Sequence, residues 1–475
     1  TILSLFATFL VVNLVEWVKM TCGNVSFSII LLQLTSPIKG TDSGIINSII
    51  KTAVVPPVLL AVAAVLCYLF IVRGMYALED LPVKKIPRWS KICIEVVMVV
   101  FFLHTVQVQG TEIGMWDYIQ SVRESSDFYE KEYVNPAKVK MTFPKEKKNL
   151  IYIFMESMES SYADKEDGGT MDDNYIPNLT KLARENVQFT DKKDGKVGGP
   201  VCLEATAYTA GGLVAQTSAI NLKVMNSGAV SDSFLPNLTA LGDILNKQGY
   251  NQMFLCGSDG DFAGRDAYFK THKDYQIEDY KAAIKEGDIP KDYKVYWGHE
   301  DKVLYERAKK NLKKLSKEGK PFNLTMLTVD THFPNGYICD LCENKYDTTY
   351  GNAVACADRQ VYDFVQWIKK QDFYEDTTII IAGDHTSMVD TGSKFWKSLS
   401  NDYQRTVYNA IINPQCAYKK KVTTKRKFST MDMFPTTLAA LGVEIDGNKL
   451  GLGTNLFSGE ETLREELGAN YINKL

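Results

Sequence analysis

The sequence predicts a membrane anchor followed by one large α/β domain built on a mainly parallel sheet. Three observations carry that prediction. Nearly all the long apolar runs lie before residue 110, and the rest reads as ordinary globular sequence rich in Lys, Asp, Tyr and Asn. Within that rest, short runs of branched and aromatic residues alternate with helical stretches, the pattern of a sheet covered on both faces. The chain has 475 residues, 45% of them hydrophobic, with 54 basic against 57 acidic side chains. Those figures exclude a single small domain, a low-complexity chain and a strongly basic nucleic-acid binder.

Residues 1–109 read as a transmembrane anchor of at least three helices, 110–148 as a juxtamembrane helix and linker, and 149–475 as the globular domain. A helix that crosses a bilayer needs about 20 apolar residues. Thr1 to Val18 is apolar apart from Asn13 and Glu16, Thr52–Val72 is uncharged, and Ile92–Val108 is broken only by Glu95 and His104. No basic n-region or small-residue cleavage site is visible, which argues against a cleaved signal peptide. The chain does not begin with Met, so three spans are expected as a minimum. Arg73, Lys84, Lys85, Arg88 and Lys91 fall between the second and third spans. Basic loops stay cytoplasmic, so the part after residue 110 is expected outside the cytoplasm, on a multi-pass protein of the cell membrane.

Cys202, Cys256, Cys339, Cys342, Cys356 and Cys416 would then lie where disulfides persist. Cys339-Asp-Leu-Cys342 has the spacing of half a zinc knuckle, but no second such pair follows, which disfavours zinc. One bridge from Cys356 to Cys339 or Cys342 is expected instead.

In the outer part, Glu112 to Lys131 reads as an amphipathic helix and Lys138–Lys148 as a basic linker. Strands are predicted over Asn149–Met155, Asn251–Cys256, Phe322–Val329 and Thr377–Ala382. Helices are predicted over Ile176–Glu185, opened by Pro177, and over Leu235–Gln248, Asp301–Lys317 and Ala353–Gln371. In such folds the chemistry collects beyond the carboxyl ends of strands. Unusual polar residues fall there repeatedly: Glu156 after the first strand, Asp330 and His332 after the third, Asp384-His385 after the fourth.

A carboxylate and an imidazole at a strand end can reach one divalent cation, so Asp384, His385 and Glu156 are candidate ligands. Glu159 competes with Glu156 and reads as a solvated position in a following helix. Tyr208-Thr209-Ala-Gly-Gly places a hydroxyl at the start of a small-residue helix, where backbone N–H groups favour phosphate. Taken alone, Thr209 reads as a helix cap rather than a nucleophile, and Thr206 and Thr217 are alternatives of the same kind. His272 and His299 read as surface histidines.

Pro177-Asn-Leu-Thr-Lys-Leu-Ala-Arg-Glu-Asn-Val-Gln-Phe-Thr190 resembles the segment after the first strand of sulfatases and related alkaline-phosphatase-superfamily enzymes, and Asp432-Met-Phe-Pro-Thr-Thr-Leu-Ala-Ala-Leu-Gly442 resembles their late helix. Over roughly residues 110–458, and into the hydrophobic N-terminal part, the chain resembles membrane phosphoglycerol transferases, the group of lipoteichoic acid synthase and the glucan phosphoglycerol transferases. The resemblance implies a sulfatase-like α/β sandwich. It implies a metal site of Glu156, Thr209, Asp384 and His385 for manganese or magnesium, with Thr209 as the residue that becomes glycerophosphorylated. Phe262-Ala-Gly-Arg-Asp266 matches the segment that offers an arginine, here Arg265, to the substrate phosphate, and Thr331-His332-Phe-Pro the loop that sets a histidine over the headgroup.

The lipoteichoic branch carries histidine at the place of Cys256 and tryptophan at that of Ala263. The Phe-Ala-Gly-Arg-Asp and Cys356-Ala-Asp358 segments are closer to the glucan-modifying branch. The Cys/Ser-x-Pro-x-Arg nucleophile pattern of sulfatases is absent, which disfavours sulfate-ester hydrolysis. The implied donor is phosphatidylglycerol and the implied acceptor a glycan or glycerol-phosphate polymer in a bacterial envelope. A phosphodiesterase that uses water as acceptor and a non-catalytic membrane scaffold are the alternative readings.

Overall fold

The structure, a computed structural model, describes residues 2–22, 27, 30–31, 43–77, 88–123, 127–222, 233–468 and 471. They form two compact units, one within residues 1–30 and 41–125 and one within residues 31–40 and 126–475.

The first unit is helical: Ile2–Cys22, a continuous helix from Ser43 to Ala77, and Arg88–Glu112. The second helix starts well before the expected Thr52 and runs through Lys51. Its Ile50–Val54 segment is a π-helical turn one residue ahead of Pro56-Pro57. Each proline crowds the carbonyl four residues back, and the wider turn accommodates both rings. Two polar side chains bond to their own helices, Asn13 Nδ2 donating to Phe9 O (2.7 Å) and Thr105 Oγ1 to Phe101 O (3.0 Å). Leu59, Leu66, Phe70 and Leu103 are exposed, the arrangement lipid requires. Among the described residues, three helices are long and apolar enough to cross a membrane, which marks a membrane protein. Residues 78–87 of the basic loop lie outside the described residues, as do the side chains of Arg73, Arg88 and Lys91.

The predicted helix over 112–131 is broken into Met115–Arg123 and Phe128–Glu132. Gly114, at φ +68°, interrupts it at the start.

The second unit is built on a six-stranded sheet. Its strands are β1 (Asn149–Met155), β2 (Asn251–Cys256), β3 (Tyr275–Glu278), β4 (Phe322–Leu327), β5 (Thr377–Gly383) and β6 (Asn409–Ile412), in the order β3-β2-β4-β1-β5-β6. All pairs are parallel except β5 with β6. The four strands predicted from sequence are the central ones; β3 and β6, at the two edges, are additional. β5 (Thr-Thr-Ile-Ile-Ile-Ala-Gly) is buried along its whole length, as a strand covered on both faces must be.

The helices pack in two groups. Asp301–Leu315 and Pro177–Glu185 both lie against Thr349–Ile368, while Thr209–Ser218 packs with Met433–Ala440 and Leu241–Lys247. Leu241–Lys247 is shorter than predicted because Asp243 Oδ2 accepts from Ala240 N (2.9 Å) and starts the helix there. No helix follows Glu159, only a single 3₁₀ turn at Ser160–Tyr162.

Candidate active site

Parallel pairing sets Met155 beside Gly383, so Glu156 and Asp384 leave the sheet side by side at its carboxyl edge. The backbone there is held by hydroxyls from the neighbouring strand end. Glu156 N donates to Thr328 Oγ1 (2.9 Å), and Thr331 Oγ1 donates to Glu156 O (2.5 Å). Thr209 opens the helix Thr209–Ser218, whose first turn lies directly on this edge. A Cβ on Gly212 would fall 2.3 Å from Asp384 O, and one on Gly211 2.6 Å from Ala205 O. Only glycine permits that approach.

Four side chains meet there. Thr209 Oγ1 donates to Glu156 Oε2 (3.2 Å) and lies 3.4 Å from His385 Nε2. His385 Nε2 is 3.4 Å from Glu156 Oε1 and 3.5 Å from Asp384 Oδ2. Every residue of the expected quartet is therefore within hydrogen-bonding or ion-pairing range of at least one other. All but Thr209 are fully buried.

The surroundings leave these groups able to hold a cation. Asp384 Oδ1 accepts from Ser157 N (2.8 Å) and His385 N (2.7 Å), while its Oδ2 is buried without a hydrogen-bond partner. His385 Nδ1 faces Thr386 O at 2.9 Å, which makes Nδ1 the donor and leaves the Nε2 lone pair turned into the cluster. Ser157 Oγ donates to Glu156 Oε1 (2.7 Å). The ligand atoms of Glu156, Asp384 and His385 lie within 4.8 Å of one another. Two carboxylates, one imidazole and a hydroxyl fit a single divalent cation.

Titration in the absence of metal reflects this crowding. Burial, then the neighbouring Glu156, pushes Asp384 up to about 8. For His385 burial opposes the charge, but Asp384 and Glu156 outweigh it and raise the pKa. For Glu156 burial is again the largest influence, yet His385 and His332 together hold it below the usual carboxylate value.

The competing residues are accounted for elsewhere. Glu159 is wholly buried rather than solvated, because Arg405 grips it through Nε (3.0 Å) and Nη2 while Ser387 N donates to Oε1 (2.8 Å). Thr206 Oγ1 closes a local turn with Leu203 N (2.9 Å), and Thr217 Oγ1 bonds Leu213 O (2.6 Å). His272 and His299 are buried, against expectation. His272 Nδ1 pairs with Asp243 Oδ2 at 2.7 Å. His299 sits beneath Gly257, where burial lowers its pKa to about 4.

Arg265, His332 and Phe262 form a second group. Arg265 is buried, with Nε donating to Phe262 O (3.0 Å) and Nη2 to Asp259 O (2.7 Å). Its Nη1 makes no protein hydrogen bond among the described residues. His332 lies close enough to Glu156, His385 and Arg265 to feel all three charges, and burial lowers its pKa. Its Nδ1 faces Phe333 O at 2.9 Å, leaving Nε2 as the acceptor nitrogen. Sequence reasoning missed Trp297, whose ring lies 5.2 Å from Phe262 and 4.6 Å from His332 and joins the two. The aromatic pair Tyr296-Trp297 before a glycine was the available signal.

The expected disulfide is absent: Cys339, Cys342 and Cys356 are free thiols.

A mainly parallel sheet with a hydroxyl, two carboxylates and an imidazole converging at its carboxyl edge defines an α/β domain of the alkaline-phosphatase type. The sulfatase family profile matches residues 148–443, and the chain belongs to that family. It is 33% identical over 340 residues to phosphoglycerol transferase I of Salmonella choleraesuis, covering 69% of this chain and 41% of the relative. The same protein of Shigella flexneri matches at 33% over the same shares. The chain thus spans about two fifths of the length of these curated relatives. Among solved structures, a lipoteichoic acid synthase of Listeria monocytogenes aligns with TM-score 0.52 at 19% identity, over 67% of this chain and 79% of that one. The integral membrane protein lipooligosaccharide phosphoethanolamine transferase A of Neisseria meningitidis aligns with TM-score 0.53 at 15% identity, over 93% and 84%. These two likenesses concern the fold.

Proposed function

We propose that this protein is a metal-dependent phosphoglycerol transferase that moves glycerol phosphate from phosphatidylglycerol, through an intermediate on Thr209, to a hydroxyl of a glycan or polymer outside the cytoplasm. The observation that carries the reading is the Thr209 hydroxyl, set at a helix N-terminus between Glu156 and His385. The named relatives support the phosphoglycerol group.

A divalent cation, manganese or magnesium, held by Glu156, Thr209, Asp384 and His385 would supply positive charge that acidifies the hydroxyl and offsets charge on the phosphate. The chain's own groups do the rest. Thr209 Oγ1 attacks phosphorus, the bond to diacylglycerol breaks, and diacylglycerol leaves with a proton. The free N–H groups of the first helical turn face the phosphoryl oxygens, and Arg265 adds fixed charge through Nη1. His332 Nε2 and the Phe262 ring hold the glycerol headgroup. In the second step an acceptor hydroxyl attacks phosphorus, loses its proton, and Thr209 Oγ1 leaves and is reprotonated. Thr209 is thereby regenerated.

The test is full-length protein incubated with headgroup-labelled phosphatidylglycerol, with and without glycan acceptors. Diacylglycerol release with label on the acceptor is expected. Free glycerol phosphate as the main product with acceptor present would make the protein a phosphodiesterase, and no diacylglycerol release under any metal would overturn both readings.

The reading also requires residues 149–475 to be extracytoplasmic, which the basic residues Arg73, Lys84, Lys85, Arg88 and Lys91 support. Protease added to intact cells should remove the large domain; its full protection would refute the orientation.

A further inference from the structure

Three cysteines from two elements converge beneath the loop that carries His332. Cys339 and Cys342 lie in the segment between β4 and the helix Thr349–Ile368, and Cys356 lies on that helix. Cys339 Sγ is 3.6 Å from Cys342 Sγ and 3.9 Å from Cys356 Sγ, and all three sulfurs lie within 4.8 Å of one another. Zinc–sulfur bonds of about 2.3 Å in a tetrahedron place neighbouring sulfurs about 3.8 Å apart. The two measured separations bracket that edge. Cys342 N donates to Cys339 O (3.1 Å), a tight turn that directs both sulfurs of the pair to one side.

The surroundings point to a ligand independently. Gln360 Nε2 lies 3.5 Å from Cys356 Sγ and 4.0 Å from Cys339 Sγ, while its Oε1 is buried without a partner. Gln360 is 7% exposed, and a half-turn of its amide would present Oε1 to the same point. Asp330, 2% exposed, leaves both carboxylate oxygens unpartnered, and it is close enough to Cys339 for the two to interact electrostatically. Buried polar groups without partners are rare in a folded core, and here one of them, the Gln360 amide, lies directly against two of the three thiols.

A single disulfide would use two of the sulfurs and leave the third beside it. A cation uses all three, and soft thiolate ligands select zinc over the oxygen-loving ions suited to the Thr209 site.

We infer that Cys339, Cys342 and Cys356 form a second metal site, a structural zinc centre separate from the quartet around Thr209, with a fourth position open to water or to Gln360. It ties the His332 loop to the helix behind it. The loop leaves β4 through Asp330 and His332, returns with Tyr337 N donating to Asp330 O (2.7 Å), and reaches Cys339 two residues later. Lys302 on Asp340 (2.6 Å) and Arg359 on Glu343 (2.7 Å) and on Leu341 O brace the same turn.

The test uses full-length protein purified in detergent without chelator. Elemental analysis should find one equivalent of zinc that a Cys339→Ser/Cys356→Ser variant loses and an Asp384→Asn variant keeps. Cobalt loading should produce sulfur-to-metal charge-transfer absorption in the near ultraviolet, absent from the cysteine variant. Thiol mapping of the parental protein, denatured with chelator but no reductant, should alkylate all three cysteines. This last measurement needs no variant to fold. A disulfide between any two of the three, or zinc content unaffected by the cysteine changes, would overturn the site. So would three free thiols in a zinc-free protein that gives no charge-transfer band with cobalt.

Discussion

Thr209→Ala is expected to abolish turnover while leaving the fold intact. Loss of a hydroxyl at a helix start costs about 1–2 kcal/mol when that hydroxyl caps the backbone. Here it does not: Thr209 Oγ1 donates to the buried Glu156 Oε2 and lies near His385 Nε2, so the change removes one hydrogen bond to a carboxylate, about 1–3 kcal/mol, and the fold should survive. On the proposed mechanism the covalent route requires the Thr209 hydroxyl and disappears with it. Thr206 offers no substitute, because its Oγ1 is committed to Leu203. Intact-protein mass spectrometry with donor and no acceptor should show a glycerophosphate adduct on the parental chain, lost in Thr209→Ala and retained to some degree in Thr209→Ser. An adduct persisting in the alanine variant, or transfer at the parental rate, would place the nucleophile elsewhere.

The second large effect is expected from Asp384→Asn, which should remove activity and yet stabilise the metal-free protein at high pH. The asparagine oxygen can still accept from Ser157 N and His385 N, so the turn survives. The amide nitrogen that replaces Oδ2 cannot ligate a cation. The sign of the stability change follows from linkage. Asp384 titrates near 3.8 when unfolded and near 8 in the metal-free fold. A carboxyl raised in this way supports folding fully below the lower value and loses that support as pH rises through the upper one. Above pH 8 its charge burdens the metal-free fold, and Asn lifts that burden. With chelator present the variant should melt above the parental protein at pH 9, with the gap closing toward pH 5. Added manganese should raise the parental melting temperature and leave the variant unmoved. A metal-free variant melting lower at pH 9, or parental activity that survives exhaustive chelation, would count against the site.

Much of the fold was legible because the central strands are buried on both faces. β1, β2 and β4 begin where their apolar runs begin, and β5 does so too. β3 and β6 were not legible: Tyr-Gln-Ile-Glu and Asn-Ala-Ile-Ile are short edge segments whose strand character comes from the neighbour they pair with. Glu156, Asp384 and His385 stood out as polar residues directly after such strands, whereas Thr209 was distinguished from other helix-start hydroxyls only by family resemblance.

What the sequence determined by itself was local: apolar runs long enough to cross a membrane, strand-helix alternation, and polar residues stationed at strand ends. The tertiary structure decided which of those residues meet. It gave Glu159 to Arg405, 246 positions away, and His272 to Asp243. It set Trp297 between Phe262 and His332 and gathered three cysteines where a single bridge was expected. The physical reason is that apolar periodicity is written in neighbouring residues, whereas the partner of a buried polar group is chosen by strand register and helix packing, which bring together residues far apart in the chain.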